Sequence, residues 1–142
     1  MNILKKMVGG NIANISRACN LICIQIQTTQ QDNIFLHIQS FLRILKGKKV
    51  ILSSDDMYRC GTNGDIETFK WDIPGTSIFD DSLNNHYSSL SNAKIIKVCK
   101  HDTNDIDIIF EHDYLLQVLV DTCESEEKYR IFNDIECIVI DS

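Results

Sequence analysis

A chain of 142 residues with 44% apolar side chains, 24% charged side chains and a single proline has the composition of one folded domain, which excludes a disordered or linker-dominated polypeptide. Its 14 Lys/Arg against 20 Asp/Glu give a net charge of −6, the wrong sign for a protein that neutralises phosphates, so neither nucleic acid nor anionic membrane is expected as a direct partner. The charge is also segregated, since residues 1–71 hold 9 basic and 5 acidic side chains whereas residues 72–142 hold 5 and 15.

At the N-terminus Lys5 and Lys6 precede a segment in which Gly9, Gly10, Asn11, Asn14, Ser16 and Arg17 interrupt the apolar core that a signal peptide requires. No stretch reaches the ~18 apolar residues of a membrane span, and the expectation is a cytoplasmic protein with reduced thiols. Cys19, Cys23, Cys60, Cys99, Cys123 and Cys137 are too few for a disulfide scaffold and lie mostly in apolar stretches, where a thiol behaves as a small hydrophobe.

Beyond Asn20, isoleucine at two-residue spacing is the dominant pattern. Ile22, Ile24 and Ile26 share one face of a strand predicted over Leu21 to Gln27. Ile34 to Leu45 fits both a strand and a helical stripe, and is read as one strand. Val50-Ile-Leu52 is the next, with Lys46-Gly-Lys-Lys49 as its turn. Asp55 to Gly75 holds three of the six glycines, the proline and the tryptophan, and reads as a long connection pinned by Trp71. Ser77 with Asp80 three residues later forms a capping signal, and Phe79, Leu83, Tyr87 and Leu90 then fall on one face, which predicts a helix over Ser77 to Leu90. Asp80 and Asp81 in its first turn are structural on this reading. The remainder reads as an antiparallel meander of Lys94 to Cys99, Ile106 to Phe110, Tyr114 to Val120 and Glu136 to Ile140, with Glu111-His-Asp113 as a hairpin turn.

The order helix, strand, strand, strand, strand recurs. Leu36-His-Ile38, Arg43-Ile44 and Val50-Ile-Leu52 in the first half match Leu116-Gln-Val118, Arg130-Ile131 and Cys137-Ile-Val-Ile140 in the second. The chain is therefore expected to be a single α+β domain, mainly antiparallel β-sheet with one or two helices, built from two similar β-rich halves.

Linear catalytic signatures are absent: there is no Gly-x-Ser-x-Gly, His-Glu-x-x-His or Gly-x-Gly-x-x-Gly, and Gly61-Thr-Asn-Gly64 runs into Asp65, which repels phosphate. Cys-x-x-Cys is missing, so Cys19 with Cys23 and Cys99 with His101 lack a partner pair, and neither a metal nor a cofactor is expected. His37, His101 and His112 are the candidate general bases, and a small-ligand or enzymatic pocket around them is the second reading; a structural adaptor is the third. Acidity is the stronger signal. Alternation sends Ile106, Ile108 and Phe110 to one face and Asp105, Asp107 and Glu111 to the other, with Asp102 and Asp113 at the ends and Glu124, Glu126 and Glu127 beyond. These eight carboxylates are the candidate partner-binding residues, with Tyr58, Trp71 and Tyr114 as secondary aromatic anchors.

Gly10-Asn-Ile-Ala-Asn-Ile-Ser-Arg-Ala-Cys-Asn20, Leu36-His-Ile-Gln39 followed by Arg43-Ile44, Ser54-Asp-Asp-Met-Tyr58, and Phe69-Lys-Trp-Asp72 before a capped helix resemble small bacterial immunity proteins of polymorphic, contact-dependent growth-inhibition toxin systems, notably those paired with wall-associated toxins. The resemblance implies a cytosolic, non-catalytic protein that binds one toxin domain, most often a nuclease, by occluding its active or substrate-binding surface. A nuclease is basic, and the acidic second half is complementary to it.

Overall fold

The computed structural model describes residues 2–141. Ten strands form two five-stranded antiparallel sheets. The first carries β1 (Asn11–Ala18), β2 (Leu21–Gln27), β3 (Asn33–Ile38), β9 (Tyr129–Phe132) and β10 (Cys137–Ile140), in that spatial order. The second is ordered β5 (Lys49–Ser53), β4 (Phe41–Lys46), β8 (Tyr114–Leu119), β7 (Ile106–Phe110) and β6 (Ile95–Lys100). Alternation aims one face of each sheet inward, so that Ile22, Ile24, Ile26, Leu36 and Ile38 of the first join Leu42, Ile44, Ile106, Ile108 and Leu116 of the second in one buried cluster. An α+β domain of mainly antiparallel sheet with two helices is thus established.

The two halves are related by an internal repeat that exchanges hairpins. The meander β1-β2-β3 is bordered by the hairpin β9-β10, and the meander β6-β7-β8 by the hairpin β4-β5. Core positions correspond pair by pair: Leu36 lies opposite Ile131, which lies opposite Ile138, as Leu116 lies opposite Ile44, which lies opposite Leu52. Even the irregularities repeat, for the register of β1 on β2 shifts between Ile12 and Asn14, and that of β6 on β7 between Ile95 and Lys97. Each half has five strands, one more than the periodicity of the sequence indicates.

Two expectations are corrected and one unexpected strand is added. Ile34 to Leu45 is two strands, because the chain leaves the first sheet after Ile38 and enters the second at Phe41; Gln39 and Ser40 both donate their N–H groups to the Lys128 carbonyl at 2.9 Å, which makes the corner. The last four strands of the expected meander are not one meander, since β8 is followed by a crossover back to the first sheet, where Tyr129–Phe132 forms the strand that the match of Arg130-Ile131 to Arg43-Ile44 anticipates. Asn11–Ala18 is also a strand; the bulge at Ala13 puts Ile12 and Ile15, three residues apart, on the same buried side, so the two-residue alternation is broken in the sequence.

Helix α2 (Ile78–Ser91) begins at the predicted cap, with Ser77 and Asp80 bonding reciprocally, and it buries Phe79 and Leu90. It packs against β1 and β5 and closes that side of the two-sheet stack. Among the described residues the opposite side has only α1 (Ile3–Lys6), against β6, tied to the β9–β10 turn by Lys6 Nζ donating to Glu136 Oε1 at 2.8 Å. Glu111-His-Asp113 is the hairpin turn expected, with φ of 63° at His112 and 64° at Asp113, the pair of positive values a tight antiparallel turn demands.

Candidate partner-binding surface

Registers place the end of β8, the start of β4, the start of β7, the end of β6 and the end of β5 at one end of the second sheet. A 3₁₀ helix (Ser54–Tyr58) follows β5 there, and residues 120–128 cross back to the first sheet at the same end. Acidic side chains gather here. Asp105 accepts the Val120 N–H at 2.7 Å and fixes the start of the crossover. Behind it the Tyr129 hydroxyl donates to the Asn104 carbonyl, and burial together with the Asp105 charge pushes that phenol up to about 12.

Asp107 lies one row further along the outer face. It is hydrogen-bonded on both oxygens: His101 Nε2 is 2.9 Å from Oδ2, and Gln117 Nε2 donates to Oδ1 at 3.0 Å, while Gln117 in turn accepts from Arg43 Nε at 2.8 Å. Glu127 accepts from Arg130 at 2.7 Å, which raises the Arg130 pKa, and Glu126 is 3.6 Å from the Nζ of the buried Lys128. Asp102 and Glu124 are exposed and make no side-chain hydrogen bond among the described residues.

Glu111 and Asp113 stand apart from this group. They lie at the far end of β7, ~17 Å away for five residues at about 3.3 Å each. There Glu111 accepts the Lys94 N–H at 2.9 Å, and the Asp113 carbonyl takes the Gly47 N–H, which brings the lysine-rich β4–β5 turn alongside. The eight predicted carboxylates therefore do not form one face: six share the crossover end and two sit among Lys46, Lys48, Lys49 and Lys94. Between Asp107 and Glu111 the outward residue is Ile109, opposite Leu115 and Lys97, which divides the charges further.

Two acids missed by sequence reasoning belong to the crossover end. Asp55, on the 3₁₀ helix, and Asp121, just past β8, are both exposed and line one small cavity of about 90 Å³ together with Tyr58. Only the neighbouring order of β5, β4 and β8 brings them together, and nothing local in the sequence encodes it. Tyr58 is 51% exposed and rests on Trp71 with ring centroids 4.8 Å apart. Tyr114, by contrast, is buried beneath the Lys46 ammonium and is not available to a partner.

Neither of two surface cavities, one beside α1 and one beside the 3₁₀ helix, is lined by His37, His101 or His112. The first, about 820 Å³, is a groove beside α1 lined by Lys5, Lys6, the β2–β3 turn and Ile135. His37 packs edge-on to Phe132 at 5.0 Å. Among the described residues no three His, Cys, Asp or Glu side chains are placed to hold a metal, and no helix is long and apolar enough to cross a membrane.

Fold and surface define a two-sheet antiparallel domain with an acidic, aromatic-bearing end. No protein-family model, curated protein or solved structure matches the chain.

Proposed function

We propose that this protein is an immunity protein that binds a cognate basic toxin domain, a nuclease, in the cytosol and blocks its active or substrate-binding surface without catalysis. The observation that carries the reading is the gathering of Asp55, Asp102, Asp105, Asp121, Glu124 and Glu126 with the exposed Tyr58 at one end of the two-sheet scaffold. Carboxylates there steer a cationic partner into encounter, and an exposed aromatic supplies area at small entropic cost.

The test is calorimetric titration of this protein into the isolated C-terminal domain of a large secreted protein encoded beside it, at two salt concentrations. Binding at roughly nanomolar or tighter, about −12 kcal/mol, that weakens with salt is the expected result. Absence of binding to the folded domain at micromolar concentration overturns that pairing.

A further inference from the structure

The internal repeat sets a covered side of the molecule against an uncovered one. Along β1 the inward row is Ile12, Ile15 and Arg17, and along β6 the same register gives Ile95, Val98 and Lys100. Leu52 on β5 likewise has Ile138 on β10 as its counterpart. Helix α2 packs against β1 and β5, and there Ile15 and Leu52 are 7% and 2% exposed. Val98 and Ile138, in the equivalent places, are only half-buried, as is Ile140 two residues along β10. The short α1 supplies part of the missing cover. Counted back from Ile12 and Ile95, Met7 matches Leu90 and Ile3 matches His86, so residues 78–84 of α2 have no counterpart among the described residues. The charge pattern repeats as well. Arg17 forks onto the Asp80 carboxylate in the first turn of α2, whereas Lys100, in the place of Arg17, is exposed and its ammonium has no hydrogen bond or ion pair among the described residues.

We infer that the side between the β6 and β10 edges receives an amphipathic helix of a partner protein, about two turns long, with a carboxylate in its first turn for Lys100 and apolar side chains four residues apart for Val98, Ile138 and Ile140. The template is α2 itself, which carries Asp80 in its first turn and Phe79 and Leu83 four residues apart. A helix about 10–12 Å across bridges the edges of two sheets stacked ~10 Å apart, and its apolar stripe takes half-buried isoleucine and valine out of water. An acid in the first turn suits the helix dipole and meets the unpaired Lys100 charge. A second copy of the chain is a poor source, because its α2 is already seated on its own β1 and β5 with Phe79 buried. The inference does not rest on the function proposed above, since the repeat alone defines the seat and the charge it asks for.

The test adds to the full chain a peptide with the sequence of residues 76–85, held helical by a hydrocarbon staple across positions 81 and 85, neither of them buried in α2, and follows amide chemical shifts. The signals of Val98, Lys100, Ile138 and Ile140 are expected to move. The same peptide carrying Asp80→Lys should bind about tenfold more weakly, and Lys100→Glu in the protein should restore its binding while weakening that of the original peptide. Lys100 is exposed, so the variant keeps its signal dispersion. Absence of shifts up to about 1 mM peptide, shifts confined to other residues, or equal binding of the two peptides overturns the inference. A chain that sediments as a dimer, with these same signals moving on dilution, gives the seat to a second copy and overturns it too. Peptide binding as described, with no binding to the neighbouring secreted domain, sustains the inference and counts only against the toxin pairing.

Discussion

Arg17 and Asp80 lie 63 residues apart and meet in a two-point fork, Nε to Oδ1 at 3.0 Å and Nη2 to Oδ2 at 2.9 Å, with the arginine side chain 1% and the aspartate side chain 9% exposed. The same guanidinium donates to the carbonyls of Cys19 and Trp71, and the same carboxylate accepts from the N–H of Gly75 and from both the N–H and the hydroxyl of Ser77. One pair thus fastens β1, the long connection before α2 and the cap of α2.

Removing one partner leaves the other charge buried. Asp80→Asn and Arg17→Met are each expected to lower stability by about 3–5 kcal/mol, read from urea denaturation midpoints. Because the Trp71 carbonyl hangs on Arg17, Arg17→Met also loosens the Tyr58 wall, and quenching of Trp71 fluorescence by iodide should rise. Loss of less than about 1 kcal/mol would show that the pair is as weak as a solvated surface bridge.

The pH dependence has a definite sign. Burial opposes the Asp80 charge, but the Arg17 fork and the Gly75 and Ser77 donors outweigh it and hold the carboxyl well below its ordinary value of 3.8. A group depressed in the folded state contributes fully above its unfolded pKa and loses that contribution as pH falls through the folded one. Stability should therefore decline on acidification below about pH 4, and Asp80→Asn should flatten that acid limb while leaving the neutral range parallel to wild type. An unchanged acid slope in the variant would assign acid sensitivity to other groups.

The internal repeat makes an asymmetry measurable. Leu52 on β5 and Ile138 on β10 hold equivalent places, yet Leu52 is 2% exposed beneath the α2 side whereas Ile138 is only half-buried on the side where the helix is a single turn. Leu52→Ala is expected to cost about 2–5 kcal/mol and Ile138→Ala roughly 1 kcal/mol. Equal costs would mean that the short α1 covers its side as well as α2 covers the other.

That repeat is legible in the sequence, since Leu36-His-Ile38 with Leu116-Gln-Val118 and Arg43-Ile44 with Arg130-Ile131 fall at equivalent registers. Strand periodicity and the Ser77 cap are local signals, and for that reason they place Leu21–Gln27 and Ile106–Phe110 to the residue. What the sequence does not carry is non-local. The hairpin exchange is decided by the corner at Gln39 and Ser40, where both N–H groups turn to the Lys128 carbonyl far along the chain. The same exchange brings Asp55 to Asp121, a neighbourhood the sequence does not show, whereas the length of β7 itself separates Glu111 and Asp113 from the acids at the crossover end.

Charge reversal has a sharper design once that division is known. Asp102→Lys with Glu124→Lys touches exposed carboxylates that support nothing in the fold, and should slow association with a basic partner by about tenfold at low salt and reduce the salt dependence. Glu111→Lys with Asp113→Lys, at the lysine-rich end, should leave the association rate within twofold. Stopped-flow mixing at two ionic strengths separates the outcomes, and equal slowing by both pairs would refute the assignment of the interface to the crossover end.

Ser40→Ala tests whether the unpartnered hydroxyl is kept at the expense of stability. Deleting a buried hydroxyl that lacks a partner removes a desolvation cost without losing a hydrogen bond, so the variant should unfold at equal or higher urea, by up to about 1 kcal/mol. The Gln39 and Ser40 backbone bonds to Lys128 do not involve the hydroxyl and persist in alanine. Destabilisation beyond about 1 kcal/mol would instead show that the hydroxyl is satisfied in solution.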